Sequence, residues 1–271
     1  MSIQIKFSEN DFIQYARFLK EEIGFNVKED KVGLLEGRLQ KRLHDKNISP
    51  LAYLKLIQKD VEEKSYFIDA ITTHKTDWFR ENVHYQFISN IVKINPQNSY
   101  MFWSAASSTG EEAYSLAMQL MEDGLDSSSY RILGTDISDD CIETCKNGIY
   151  RSEIVTSQVS PSLIKKYFLK NKNIEMKKYL KINPLLINNI KFKKFNLLSG
   201  HLEGNVKFDV ILVRNVMIYF DQNTINQVIK NLLVYLKDGG HLIIGLSESI
   251  NSAKELKLIR VSNSVYKYER S

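Results

Sequence analysis

Met101-Phe-Trp-Ser-Ala-Ala-Ser-Ser-Thr-Gly-Glu-Glu-Ala-Tyr-Ser115 decides how this chain folds. An apolar strand from Tyr100 to Trp103 runs into a loop of very small side chains. Glu111 and Glu112 follow at once, and a helical pattern runs from Ala113 to Met121. Small residues between a strand and a helix let a ligand approach the backbone closely, as nucleotide-binding turns do. The loop has neither Gly-x-Gly-x-x-Gly nor the terminal Gly-Lys-Ser/Thr of a phosphate-binding loop. Two carboxylates at its end would repel a pyrophosphate and suit a cationic ligand. Taken alone the segment also reads as an ordinary strand-to-helix turn, and its neighbours decide between the two.

Downstream, short apolar runs alternate with helical stretches. Tyr100–Trp103, Arg131–Thr135, Phe208–Val213 and His241–Leu246 read as strands, and the first three each lead into a helical pattern. Such alternation predicts an α/β fold with a parallel sheet covered on both faces. Its ligand crevice should lie at the carboxyl ends of the strands. The polar residues at those ends are Ser107 to Glu111, Asp136, and Arg214 with Asn215. Between Arg151 and Lys194 the pattern breaks into short basic pieces with Pro161 and Pro184. Tyr179–Ile182 and Ile190–Phe195 read there as short strands of an insertion beside the main sheet.

Upstream, residues 8–70 are helical in pattern. Ser8 and Asn10 offer N-cap oxygens, with Phe12, Tyr15, Ala16 and Leu19 at helical spacing. A second helix from about Glu29 to His44 carries Val32, Leu35, Leu39 and Leu43 as its apolar stripe, with Arg38, Lys41 and Arg42 on another face. Ser49-Pro50 opens a third helix, and Val61 to Ile71 forms a fourth. The expected division is a helical N-terminal domain over residues 1–72 and a mixed domain over 73–271, with the insertion at about 151–195.

Composition narrows the class. The 271 residues, 43% hydrophobic and 25% charged, are ordinary for a soluble globular protein with ample core. No apolar run approaches the roughly 18 residues of a membrane span, and no signal-peptide pattern opens the chain, so the cytoplasm is expected. Cys141 and Cys145 are the only cysteines; lacking a neighbouring Cys or His pair in sequence, they read as reduced thiols, and no metal site is expected. Net charge is uneven. Residues 151–195 hold 11 basic against two acidic side chains, whereas residues 1–70 are neutral. That basic stretch is open to nucleic acid, an acidic membrane surface, an acidic protein partner, or plain solvation.

Three segments carry chemistry. Asp136 ends the second strand 25 residues after Glu111. An acid placed so accepts hydrogen bonds from ribose hydroxyls, or merely caps the next helix. With the small-residue loop, this suits S-adenosylmethionine, whose ammonium and sulfonium are both cationic. Arg214 and Asn215 directly follow the buried run Phe208–Val213, where a charge is costly unless paired. The Asn-Pro-Pro-Tyr motif of DNA amino-methyltransferases is absent. In Thr72 to Glu81, Arg80 follows Trp78 and Phe79, either beside the crevice or as a surface arginine on a linker.

Together these segments resemble the chemotaxis receptor glutamate methyltransferases, the CheR family, over nearly the whole chain. Five blocks match in order. They are Thr-x-x-Thr-x-x-Phe-Arg-Glu (73–81), Trp-Ser-Ala-Ala-Ser-Ser-Thr-Gly-Glu-Glu (103–112) and Gly-Thr-Asp-Ile (134–137) with Gly148-Ile149-Tyr150. Then come Phe208 to Asp221, and Gly239-Gly240 leading to Gly245-Leu-Ser-Glu-Ser249. The resemblance implies a Rossmann-like adenosylmethionine-dependent methyltransferase that esterifies receptor glutamates and releases S-adenosylhomocysteine. It implies that Thr76, Arg80, Glu111, Asp136, Asn196, Leu197, Arg214 and Asn215 surround the cofactor, with Arg80 and Tyr219 nearest the methyl. His74 stands where Asn is frequent and is kept as a weaker cofactor contact; Leu246 stands where His often precedes Ser-Glu-Ser.

A glutamate nucleophile, with an ordinary pKa near 4.3, is already ionised at pH 7 and needs neither general base nor metal. Acidic receptor helices are the expected partners of Arg38, Lys41 and Arg42. Residues 160–195 correspond to a small β-subdomain whose edge strand, in some members, captures a pentapeptide at the receptor C-terminus. The stretch Tyr167 to Tyr179 has no glycine to shape such an edge, so no tether is expected. A monomer that neither binds nucleic acid nor inserts into membranes completes the reading. A non-catalytic adenosylmethionine-binding or scaffolding module and an RNA methyltransferase are the alternatives.

Overall fold

A computed structural model describes residues 6–27, 32–96, 99–170 and 178–270. The first helix, α1 (Glu9–Ile23), opens on a capping box in which Ser8 and Asp11 satisfy each other's backbone amides. It stops at Gly24, whose left-handed φ of 76° closes the last turn. Next come α2 (Val32–Lys46), α3 (Pro50–Ile57, capped by Ser49) and α4 (Val61–Ile71, capped by Asp60). The stretch before Val32, into which the sequence extends α2, lies outside the described residues. Tyr15, Leu19, Leu35, Leu39, Leu43, Tyr53 and Phe67 are fully buried among these four helices and form a core of their own.

After α5 (Val83–Ile94) the chain enters a seven-stranded sheet. In chain order its strands are β1 (Tyr100–Ala105), β2 (Tyr130–Asp136), β6 (Ile190–Lys194), β7 (Phe208–Val213), β8 (Leu236–Ile244), β9 (Leu258–Ser262) and β10 (Val265–Tyr268). Across the sheet the order is β6-β2-β1-β7-β8-β10-β9. The first five run parallel, and the C-terminal hairpin adds two antiparallel strands at one edge. Helices α6 (Glu111–Glu122), α7 (Asp139–Asn147) and α11 (Gln222–Leu233) follow β1, β2 and β7. All six residues of β7 are buried, as two-sided coverage requires.

Register positions the site. Ala105 pairs with Thr135 on one side and with Val213 on the other. The carboxyl ends of three neighbouring strands are therefore level, and Ala106, Asp136 and Arg214 leave them together. Chain connections run from β1 in opposite directions, to β2 and on to β7, so β1 marks the topological switch point where α/β sheets bind ligands.

The expected insertion is smaller than the sequence suggests. A separate antiparallel sheet of order β3-β5-β4 is built from β3 (Ile149–Arg151), β4 (Phe168–Lys170) and β5 (Tyr179–Ile182). Helices α8 (Ser152–Gln158), α9 (Pro161–Tyr167) and α10 (Pro184–Ile187) flank it. Ile190–Lys194 instead pairs parallel with β2 in the main sheet. Its Phe192 ring fills the space over Gly134, where a Cβ would come within 2.5 Å of the ring. Residues 171–177, the centre of the glycine-free stretch, lie outside the described residues. No described helix is long and apolar enough to cross a membrane.

Candidate active site

A cleft lies between the carboxyl ends of the strands and the end of α1. Its floor is the small-residue loop. Ala106 and Ser108 take left-handed φ values of 64° and 49°, and the Ser107 amide donates to the Thr135 carbonyl at 2.7 Å. The Ser108 amide donates to Asp136 Oδ2 at 2.8 Å, and the Ser138 amide to Oδ1 at 3.1 Å. Asp136 is thus fixed by two backbone donors, while Ser138 itself caps α7. Burial pushes the Asp136 carboxyl upward, and the amides pull it only partly back. Each of its oxygens keeps acceptor capacity toward the cleft.

Nine of the expected cofactor and methyl-site residues line this one cleft: His74, Thr76, Arg80, Asp136, Asn196, Leu197, Arg214, Asn215 and Tyr219. Glu111 does not. Its buried carboxylate turns to the Thr109 hydroxyl at 2.7 Å, and Glu112 lines the cleft instead. One step along a helix rotates a side chain by roughly 100°, enough to exchange which of two adjacent acids faces the ligand.

Arg214, the buried charge after β7, is paired through both terminal nitrogens, while its buried Nε has no hydrogen-bond partner among the described residues. Its side chain is 1% exposed and bridges Glu112 and Glu81 at 3.1 Å each. It also donates to the Arg80 carbonyl. The Ser104 hydroxyl holds the other Glu112 oxygen at 2.7 Å. Burial raises the Glu112 carboxyl and Arg214 opposes this. At Glu81 burial also pushes upward, but Asn215 and Arg214 outweigh it and hold the carboxyl below its ordinary value. Arg214 therefore lines the cleft as its organiser, tying the strand ends to the 80–81 backbone.

Sequence reasoning missed a second anchor, Glu248. Its Oε2 accepts the amides of Gly245 at 2.7 Å and Asn215 at 2.9 Å, and its Oε1 that of Met217 at 2.8 Å. One carboxylate thereby shapes the turn that carries Asn215, at a left-handed φ of 58°, and Tyr219. A Cβ at Gly245 would lie 2.6 Å from Asn215 Nδ2, so only glycine admits this packing. The Ser-Glu-Ser motif was visible, but its target was not.

The opposite wall comes from the helical region. Ile23 and Phe25 line the cleft, and Phe25 stacks on Tyr219 with ring centres 5.2 Å apart. The Asn26 amide donates to the Tyr219 carbonyl at 2.8 Å. Asn196 spends its side chain on the Glu22 carbonyl and the Leu198 amide. Arg80, by contrast, is half-buried with only a 3.4 Å bond to the Lys75 carbonyl, leaving its guanidinium available to the cleft.

The expected docking trio is largely committed elsewhere. Arg38 donates to the carbonyls of Ala70, Ile71 and Thr72, closing the end of α4. Arg42 makes a two-pronged pair with buried Glu63, both bonds 2.7 Å, and lies over the Tyr66 ring. Lys41 is exposed. The sequence shows three cations on one face but not the buried carboxylate and the carbonyls that claim two of them.

The comparisons with known proteins agree with this geometry. Residues 74–265 match the family described as CheR methyltransferase, SAM binding domain, and residues 10–72 match CheR methyltransferase, all-alpha domain. A chemotaxis protein methyltransferase of Borreliella burgdorferi is 32% identical over 95% of this chain and 94% of its own length. One of Escherichia coli K12 is 29% identical over 93% of this chain and 88% of its own. One of Salmonella typhimurium LT2 is 30% identical over 95% and 90%. With both family domains in order and the cleft at the sheet's switch point, the chain belongs to the CheR methyltransferases, enzymes that use S-adenosylmethionine.

Proposed function

We propose that the cleft transfers a methyl group to glutamate carboxylates on chemoreceptor helices. The observation that carries this is the convergence of a buried, amide-fixed Asp136, a cradle of small residues and the available Arg80 in one cleft. The cradle fits a nucleoside: the loop carries nothing larger than Thr109, and the buried Ser107 hydroxyl beside it has no protein partner. When bound, adenosylmethionine supplies an electrophilic sulfonium methyl.

The chain's own residues then have four tasks. Asp136 accepts the ribose hydroxyls. His74, Thr76, Leu197 and Asn215 wall the cofactor, with Glu112 closer to it than Glu111. Arg80 orients the incoming carboxylate, which is already ionised at neutral pH and calls on no base. Phe25 and Tyr219 form a face that excludes water while carboxylate and methyl are aligned.

The helical region presents the substrate. Lys41 meets the acidic receptor helix, while Arg38 and Arg42 hold the scaffold beneath it. The enzyme acts as a monomer without a C-terminal pentapeptide tether, which titration with such a peptide tests directly. The reaction is tested by mass spectrometry of receptor fragments incubated with enzyme and labelled adenosylmethionine. Methylated glutamates support the proposal; methyl groups found only on nitrogen, or none at all, refute it.

A further inference from the structure

Cys141 and Cys145 lack metal-ligand partners nearby in sequence, but the fold supplies two in space. Ligand atoms of His74, Asp136 and Cys141 all lie within 4.8 Å of one another. The three come from different elements: the segment after α4, the last residue of β2 and the first turn of α7. Three atoms this close fit within a sphere of about 2.8 Å radius, against ~2.0–2.3 Å for zinc bonds to these donors, so closing the site takes roughly 0.5–0.8 Å of movement. His74, half-exposed and outside any helix or strand, is the member best able to move.

Two of the three donors, His74 and Asp136, are already poised for this. His74 Nε2 lies 3.2 Å from both the Asp69 carbonyl, which can only accept, and the Thr72 hydroxyl, which already donates to the Ile68 carbonyl at 2.8 Å, so a proton on Nε2 satisfies both contacts. Nδ1 is then the lone-pair nitrogen, oriented through its ring partner as metal-binding imidazoles commonly are. Each Asp136 oxygen holds one backbone amide and keeps a lone pair. Imidazole with thiolate selects zinc-like ions over magnesium or calcium. His74 and Asp136 line the cleft and Cys141 stands behind them, so a fourth coordination position opens on the cleft. Three protein ligands with an open position describe an exchangeable site rather than a structural one.

We propose that the cofactor-free enzyme binds one thiophilic divalent cation, zinc or cadmium, through His74, Asp136 and Cys141, and that the bound ion excludes adenosylmethionine. Binding the ion releases the Cys141 thiol proton to solvent and forms a metal–sulfur bond. The exclusion half rests on the ribose role given above to Asp136; the metal half does not.

Cadmium is the probe, because a cadmium–thiolate bond has its own ultraviolet charge-transfer absorption. The full chain, freed of cofactor, is titrated with cadmium chloride as wild type, Cys141→Ser and Cys145→Ser, with folding of each checked by circular dichroism. The chain has only these two cysteines, so the pair of variants assigns the sulfur. The absorption should saturate at one cadmium per chain in wild type and Cys145→Ser. In Cys141→Ser it should vanish, with affinity for the ion at least about tenfold weaker. Excess adenosylmethionine should abolish it in the wild type. No saturable absorption in the wild type, or equal absorption in Cys141→Ser, overturns the site. A Cys141-dependent signal that survives saturating cofactor leaves the metal site standing, overturns the exclusion and removes Asp136 from the cofactor's contacts.

Discussion

The helical region and the sheet region each set an arginine against carboxylate held away from water, and the two clusters serve different ends. In the helices, Arg42 and Lys46 close on Glu63, whose side chain is 5% exposed, and none of the three lines the cleft. In the sheet region, Arg214 closes on Glu81 and Glu112 at the rim of the cleft and also grips the Arg80 carbonyl. The first cluster staples α2 to α4; the second sets the backbone from which Arg80 and Asn215 reach the ligand. Buried charge alone therefore does not mark a site. What marks it is buried charge tied to strained backbone, with Phe79, Glu81 and Asn215 all at left-handed φ, beside an open volume.

The largest effect should come from Arg214→Ala. It strands two largely covered carboxylates, 14% and 13% exposed, and breaking such a buried pair costs about 3–5 kcal/mol. Denaturant unfolding should show that loss, with methylation lost as well. A stable but inactive variant would make Arg214 a ligand contact rather than an organiser.

Asp136→Ala should weaken adenosylmethionine by about 1.5–3 kcal/mol, ten- to hundredfold, in calorimetry. Unchanged affinity would move the ribose elsewhere.

Arg42→Ala should cost about 2 kcal/mol of stability, less than Arg214 because its side chain is 29% exposed. Turnover below the melting point should be retained, in contrast to Arg214→Ala. Arg42's hydrogen bonds, helped by Lys46 and Tyr53, hold the Glu63 carboxyl down from 4.5 to about 2. A depressed carboxyl stabilises the fold fully above its unfolded value and loses that contribution as pH falls toward 2. Wild-type stability should therefore drop between pH 4.5 and 2, and Arg42→Ala should flatten that drop. An equally steep drop in the variant would place the acid sensitivity elsewhere.

Tyr219→Phe should lower turnover by about 1 kcal/mol, several-fold, and leave cofactor affinity nearly unchanged. Equal losses would instead make Tyr219 a cofactor clamp. Lys41→Glu should leave stability within about 0.5 kcal/mol and raise only the Michaelis constant for receptor. An unaltered constant would remove α2 from the docking face.

How much was legible follows from what each signal depends on. Strand β7 was readable because burial on both faces favours a nearly continuous apolar run, and β1 and β2 because short, mostly buried runs lead into helical patterns. The C-terminal hairpin was not: four of the five residues of β9 are exposed, so no such run announces it. Ile190–Lys194 was readable as a strand, but its sheet was not, since the choice rests on Phe192 packing over Gly134 far away in sequence. At the site, Arg214 stood out as a charge after a buried strand. Its partners, the Glu248 clamp and the approach of Cys141 to His74 arise from pairings across the fold that local spacing does not encode.

The central claim is that this cleft esterifies a carboxylate, and alkali release of methanol tests it most directly. Receptor fragment is incubated with wild-type enzyme and methyl-labelled adenosylmethionine, freed of cofactor and exposed to mild base. Volatile labelled methanol should account for the transferred label, and Asp136→Ala should reduce its yield at limiting cofactor. Label that stays on the protein through the base treatment would contradict the account.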